Sequence, residues 1–496
     1  MKRINEAERE ALTSGKANLS LPLYDRSIIA PGIVHLGIGA FHRAHQAWYT
    51  EAVLNQFGGS WGIVGCSLRS AGVKNQLAPQ DGLYTIVERG PEGEKYQLVG
   101  AVKKVMVGPE DPQALLQQMA DPQIKIVSLT VTEKGYCHDP ATGDLNISHP
   151  DIVHDLDNLS EPKSAIAYLV AALQLRKEKG LQPFTPLSCD NLPNNGAVLQ
   201  KVVQQFAEKV DASLAAWIKA EVTFPNTMID RIVPATTEAD REAFERAAGY
   251  RDEGIVMAEP FSQWVIEDNF CNDRPQWENV GALLVDDVEK FEKLKLRLLN
   301  GSHSTLAYCG YLSGKETVSD VMQEPAFVKL TTLLMDREVG ETLDVPEGFD
   351  VQDYKQQLRD RFANPGLRHR TWQIAMDGSQ KLPQRLLGTL RDQLKGKGNI
   401  DILCLAVAAW IRYVSAEDEK GQAIDVQDPF AEKLKACHHE NKGNSAGIVK
   451  AIVSIKEIFD EDLIQEEKFV AKVTAFLDQF YQQGVLTTVK DYIGAQ

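Results

Sequence analysis

Residues 32–56 read GIVHLGIGAFHRAHQAWYTEAVLNQ, and their reading decides the fold. Ile33 to Leu36 form a short apolar run of strand type, which ends in Gly37-Ile38-Gly39. Beyond the glycines, Ala44, Ala47, Trp48, Ala52 and Val53 recur at helical spacing. A strand running through two glycines into a helix is how a dinucleotide-binding unit opens. The first glycine permits the tight turn, and the second lets backbone approach a pyrophosphate at the helix N-terminus. On this reading Gly37, Ile38, Gly39, Ala40 and Phe41 form the cofactor-binding turn. His42 stands where the third glycine of G-x-G-x-x-G would be, so a plain strand-to-helix turn also satisfies the pattern.

Working outward, WGIVGCSL at 61–68 is a second apolar strand. It ends in Arg69 and Ser70, where a ribose-binding acid would be usual; an arginine there tolerates a 2′-phosphate, so NAD and NADP are both compatible. LYTIVER at 83–89, YQLVGAV at 96–102 and IKIVSLTV at 124–131 are further strand candidates, the last running into TEKGY. A helix is expected over 163–179, and PFTPLSCDNLPNNG at 183–196 reads as strand then loop. Strands alternating with helices at this spacing predict a mostly parallel sheet flanked by helices. The first thirty residues read as an irregular lead-in. Past about residue 285 helical periodicity dominates, from FEKLKLRLLNGSHSTLAYCGYL to ILCLAVAAWIRYV. The expected fold class is therefore α/β, with a Rossmann-like nucleotide-binding domain over 1–285 and a mainly α-helical, substrate-binding domain over 286–496. The crevice where two such domains meet is the natural place for a ligand.

Composition agrees with two domains, because 496 residues exceed the size at which one core normally stops growing. Hydrophobic content of 43% and charged content of 25% are ordinary for a globular protein. A formal charge of −16 argues against nonspecific binding to nucleic acid or anionic membranes. The opening MKRINEAERE carries charge where a signal peptide needs apolar residues. The longest apolar run, IDILCLAVAAWI at 400–411, is interrupted by Asp401 and too short to span a bilayer. A cytoplasmic protein is expected, as a monomer or small homo-oligomer. The seven cysteines are scattered without a C-x-x-C pair, so neither a disulfide scaffold nor a metal site is expected.

Within the helical region, KLKLRLLNGSH at 293–303 sets Lys295, Asn300 and His303 along a leucine-rich helix. At 100° per residue the three fall within an arc of about 140°. A half-buried helix with a solvated basic side fits this pattern. So does hydride transfer to or from a secondary alcohol, which needs a proton carrier and donors for the substrate oxygen. Lysine serves as that base when its surroundings lower its pKa, and asparagine amides hold a developing alkoxide.

Seven segments together carry a family resemblance: IVHLGIGAFHRAHQA, SLTVTEKGY, SCDNLPNNG, FPNTMIDRIVP, EPFSQWVIEDNF, KLRLLNGSHS and NPGLRHRTWQIAMDGSQKLPQR. They are spread along the stretch from about 31 to 415 and resemble the polyol-specific long-chain dehydrogenases, the group of mannitol dehydrogenase, fructuronate reductase and tagaturonate reductase. The resemblance implies a zinc-independent enzyme in which Lys295 is the catalytic base, while Asn191 and Asn300 hold the substrate oxygen and orient the lysine. It implies that His303 positions substrate, that Glu133 helps the lysine exchange protons with solvent, and that Asp230 contacts substrate. Taken alone, Asn191 is also a turn residue, Asp230 could pair with Arg231, and Glu133 could be solvated.

Mannitol dehydrogenases tend to carry arginine where this chain has Gln373, and RHRTWQIAMDGSQKLPQR looks most like the fructuronate reductase branch. A hexuronate carboxylate favours a guanidinium, which makes Arg368 and Arg370 candidate substrate contacts. The expectation is NAD-dependent interconversion of D-fructuronate and D-mannonate, with NADP not excluded. The alternatives are a mannitol or other neutral-polyol dehydrogenase, or a dinucleotide-binding regulator without turnover.

Overall fold

The computed structural model describes residues 2–9, 12, 19–139 and 142–496. The chain divides into two compact units, Met1–Glu289 and Lys290–Gln496.

The first unit is built on a five-stranded sheet: β1 (Pro31–Leu36), β2 (Gly62–Ser67), β3 (Val102–Val107), β4 (Ile126–Leu129) and β5 (Thr185–Ser188), in the order β3-β2-β1-β4-β5. Every neighbouring pair is parallel, with Val34 opposite both Val64 and Val127. The inner strands β2, β1 and β4 are mostly apolar because both faces are covered. Val34, Leu36, Val64, Cys66, Val127 and Leu129 pack on one face. They meet Ile166, Leu169 and Leu173 from one helix and Leu199, Val202 and Phe206 from another. Ile33, Ile63, Ile126 and Leu187 face the opposite core with Ala47, Val53, Leu54, Trp264 and Trp277. The helices are α1 (Ala40–Ala44), α2 (Gln46–Phe57), α3 (Ala165–Glu178) and α4 (Asn195–Val210). Ser164 caps α3 by accepting from Ala167 N at 3.1 Å.

Chain order runs outward from β1 through β2 to β3, then returns to β4 and β5 on the other side. The sheet thus reverses between β1 and β4, and in open α/β sheets ligands bind beyond the strand C-termini at such a switch point.

The strand reading needs three corrections. Tyr84–Gly90 and Gly93–Val99 are not in this sheet; they form an antiparallel hairpin with Tyr84 opposite Val99. Val256–Ala258 and Leu19–Ser20 extend that hairpin on either side. A two-residue connection leaves no room for the crossover a parallel pair requires. Second, β3 is VKKVMV, which does not read as an apolar strand because Lys103 and Lys104 interrupt it; it is an edge strand, where lysines are the usual guard against further pairing. Third, the lead-in contains a short helix, Glu6–Arg9, and the strand Leu19–Ser20, while residues 10, 11 and 13–18 lie outside the described residues.

The second unit is helical. Its buried axis is α8 (Asp401–Tyr413), which packs on α6 (Ser302–Leu312) and α9 (Glu467–Gln483); α5 (Glu289–Leu294) and α7 (Val351–Ala363) lie earlier in the chain. Residues Ile402 to Tyr413 are all buried. Both carboxylate oxygens of Glu338 accept backbone bonds at the start of α8, from Ile402 N and Leu403 N, each at 2.8 Å. The run at 293–303 departs from its predicted form. Lys295–Gly301 is a π-helix between α5 and α6, and two further π segments, Leu334–Val339 and Pro383–Leu387, pack against it. Among the described residues no helix is long and apolar enough to cross a membrane.

Candidate functional site

In the first unit the predicted turn sits at the switch point. Gly37 has φ +95°, and a Cβ there would lie 2.1 Å from the carbonyl oxygen of Thr130, so only glycine fits between β1 and β4. Gly37 N donates to Cys66 O at 2.8 Å, and Thr130 Oγ1 donates to Gly37 O at 2.8 Å. Thr130 is in turn held by His35, whose Nε2 is 2.8 Å from Thr130 Oγ1 and whose Nδ1 is 2.8 Å from Ser128 Oγ. Ile38 is buried over Gly65, where a Cβ would collide with its side chain. Gly39 is exposed, with nothing nearer to its would-be Cβ than Gly37 O at 3.8 Å. Gly39, Ala40 and Phe41 thus leave backbone approachable, as a pyrophosphate requires. His42, in place of the third glycine, is buried and stacks on His35 with ring centroids 3.4 Å apart. Burial holds both imidazoles neutral, pushing His35 down to about 3. Arg69 is exposed just past β2.

The loops after β4 and β5 are joined by a residue that the sequence does not single out. Asp190 accepts from Val131 N at 3.0 Å, Thr132 N at 2.9 Å and Tyr136 Oη at 2.8 Å. Burial pushes its carboxyl up to about 6 against the lowering pull of those donors. Asp190 therefore fixes the backbone that precedes Glu133 and the backbone that leads into Asn191. Both of these side chains are exposed. Asn195 closes the other side, donating through Nδ2 to Asp190 O and to Thr227 O, each at 3.0 Å. The buried Asp230 ends the strand Thr227–Asp230. The ion pair of its neighbour Arg231 is with Glu88 at 2.5 Å, and the guanidinium lies over Trp48.

In the second unit Lys295, Asn300 and His303 are all buried. The π-helical i→i+5 hydrogen bonding widens the turn, so Lys295 and Asn300, five residues apart, approach the same side; an α-helix would leave them about 140° apart. Among the described residues Asn300 Nδ2 has no hydrogen-bond partner although it is buried, a donor whose desolvation none of them offsets. The ring of His303 stacks on Phe362 at 5.3 Å and meets His369 edge-on at 4.8 Å. Burial, then the charges of His369, Arg385, Arg361 and Lys381, drive His303 well below its ordinary value, so it is neutral. Arg297, on the same π segment, is committed to Asp392 at 2.6 Å and Thr342 Oγ1 at 2.7 Å. Arg368 and Arg370 are exposed; Arg370 Nε is 3.9 Å from Glu316, and Arg368 has φ +46°. The cations around His303 are instead Arg361, Lys381 and Arg385. The last two stand in DGSQKLPQR, within a segment that also carries the family resemblance. Among the described residues no group of histidines, cysteines and acids is arranged to hold a metal.

Comparison with known proteins matches the mannitol dehydrogenase Rossmann domain over residues 31–279 and the mannitol dehydrogenase C-terminal domain over 287–481. The D-mannonate oxidoreductase of Escherichia coli K12 is 48% identical over 93% of this chain and 96% of its own. An uncharacterized oxidoreductase of the same organism, YeiQ, is 47% identical over 95% and 97%. The mannitol 2-dehydrogenase of Pseudomonas fluorescens, solved as a ternary complex with NAD and D-mannitol, superposes with a TM-score of 0.91 at 38% identity, covering all of both chains.

Proposed function

The chain belongs to the mannitol dehydrogenase family, an oxidoreductase acting on a CH–OH group of a polyol or sugar acid with a nicotinamide dinucleotide, and from that premise we propose that it is an NAD-dependent fructuronate reductase interconverting D-fructuronate and D-mannonate. The observation carrying the uronate is the near-full-length similarity to a D-mannonate oxidoreductase. NAD is supported by the dinucleotide in the mannitol 2-dehydrogenase complex.

The chain's own residues fit such a cofactor. Gly37 turns where no other residue can, and Gly39 keeps the approach to the backbone open. When bound, the nicotinamide supplies the hydride that reaches the C5 keto carbon. Protonated Lys295 delivers the proton to the substrate oxygen, and takes it back in the oxidative direction. The amides of Asn300 and Asn191 donate to that oxygen as its charge grows. A buried donor already stripped of water, as Asn300 Nδ2 is, loses nothing further when the oxyanion arrives. His303, neutral, orients the substrate through its ring nitrogens. Asp230 accepts from a substrate hydroxyl, and Glu133, exposed after β4, passes protons between Lys295 and solvent. The uronate carboxylate calls for a guanidinium. Arg368 and Arg370 offer one at the surface, and Arg361 and Arg385 offer one beside His303.

NADH consumption with D-fructuronate, run beside D-tagaturonate, D-fructose and an NADPH control, tests the assignment. Fast turnover confined to D-fructuronate and NADH is the expected result. Turnover of D-fructose with neglect of both uronates would move the protein to the neutral-polyol branch and keep Lys295 in its role.

A further inference from the structure

A hexulosonate presents its keto group near one end of the carbon chain and its carboxylate at the other. If Asn300 and Lys295 meet the keto oxygen, the anion needs a cation further along the same wall. Four residues beyond Asn300 stands Ser304, about 6 Å along the axis at 1.5 Å per residue, a span that a six-carbon chain covers. Ser304 Oγ accepts from Arg385 Nη1 at 3.1 Å. Arg385 belongs to the π segment Pro383–Leu387, which lies directly on the π segment Lys295–Gly301; a Cβ at Gly301 would come 2.8 Å from Arg385 O. The backbone carrying the guanidinium is thus fixed against the backbone carrying Lys295 and Asn300.

We propose that Arg385, rather than Arg368 or Arg370, selects a carboxylate-bearing substrate, its guanidinium pairing with the anion beside His303; this rests on the uronate reading above. Its charge acts on the site's interior, since it lowers the affinity of His303, His369 and Tyr308 for protons. The bond to Ser304 orients the planar fork, and a planar fork is what binds a carboxylate through two parallel bonds. Four other cations of this unit are placed for other work, while Arg361 stands with Arg385 beside His303. Arg297 and Arg391 are ion-paired to Asp392 and Asp462. Lys381 Nζ is drawn onto the carbonyl oxygens of Met376 at 2.5 Å and Ile374 at 3.4 Å. Arg370 faces Glu316 and solvent.

The test compares wild type, Arg385→Leu and Arg385→Lys, with Arg391→Gln as a control for the loss of one positive charge and thermal unfolding to verify folding. Two readouts are taken: Kd for D-mannonate and for D-mannitol by calorimetry with NADH present, and KM and kcat for D-fructuronate. Arg385→Leu is expected to weaken D-mannonate and raise the uronate KM by tenfold or more, with D-mannitol binding within about twofold. Arg385→Lys falls between. Unchanged D-mannonate affinity and uronate KM in Arg385→Leu overturn the assignment and leave the uronate reductase standing. The same tenfold rise in Arg368→Ala or Arg370→Ala, with Arg385→Leu silent, moves the role to that residue. Selective loss of D-mannonate binding in a protein that never reduces D-fructuronate upholds the anion subsite and removes the reductase reading.

Discussion

Asn300 is where chemistry and stability separate most cleanly. A buried amide nitrogen without a partner costs the fold free energy, of order 1–3 kcal/mol for a typical unsatisfied donor. Removing it should therefore not destabilise the protein through a lost donor bond. Asn300→Ala is expected to lower kcat by about 10²–10³-fold, the usual loss of one oxyanion donor, while the thermal midpoint stays level or rises. A large fall in both would mean that Asn300 is a packing residue and no oxyanion donor. Lys295→Ala should cost about 10²–10⁴-fold, the usual scale for a positioned acid/base, with partial rescue by small primary amines. The run KLRLLNGSH by itself fits a half-buried helix with a solvated basic side equally well, and the roles proposed for Lys295 and Asn300 come from the family resemblance that its letters carry. Asp190 was not legible beside them. Its role depends on two backbone N–H groups of a loop some sixty positions away and on Tyr136, and no local pattern encodes such a partnership.

The π segment at Lys295–Gly301 shows what periodicity can and cannot reveal. Apolar spacing distinguishes a period near 3.6 from one of 2, and it correctly placed a helical run here. A single wider turn leaves that spacing almost unchanged, so the approach of Lys295 to Asn300 could not be read from the letters. The same limit applies to the hairpin Tyr84–Val99, whose strands alternate like any others; what sets them apart is a connection too short for a crossover. The G-x-G turn was legible because φ +95° and the contact with Thr130 leave room for one residue type only. Gly301 is a comparable constraint at the other element. A methyl group there meets the carbonyl of Arg385, which is backbone and cannot rotate away. Gly301→Ala should cost about 1–3 kcal/mol, as overpacking does, and spread the two π segments apart. Its signature is a lower thermal midpoint together with a larger loss for D-fructuronate than for a neutral ketose, because Arg385 moves with the displaced backbone. A variant that loses stability with no change in substrate ratio would show that the two segments are not coupled in function.

Across the whole molecule, two sets of buried titratable groups pull stability in opposite directions with pH. Burial raises the carboxyls of Glu51 and Glu338 to about 7, and that of Asp190 to about 6. Each binds its proton more tightly folded than unfolded, so its stabilising contribution is present at low pH and lost as pH climbs from the ordinary value, 4.5 for the glutamates and 3.8 for Asp190, through the folded one. The buried histidines behave in reverse. His35, His369 and His438 fall to about 3, 4 and 4, and His42 and His303 are lowered well below the ordinary value in the same direction. Their contribution is complete above the ordinary 6.5 and is lost as pH drops through the window below it. Asp252 and Glu419 are raised as well and His138 is lowered as well, so six histidines stand against five carboxyls; the histidines carry stability upward as far as their ordinary 6.5, and beyond it Glu51 and Glu338 carry it down. The thermal midpoint should therefore peak near pH 6.5 and decline by pH 8. Glu338 provides the decisive variant because its carboxylate accepts from Ile402 N and Leu403 N at the start of α8. Glu338→Gln cannot titrate, so it should steepen the rise between about pH 4.5 and 6.5, where the wild-type carboxyl opposes the histidines, and flatten the limb above pH 6.5. Unfolding followed by circular dichroism at half-unit pH steps would read both limbs, and an alkaline limb as steep in Glu338→Gln as in wild type would mean that the helix cap carries no proton in the native protein.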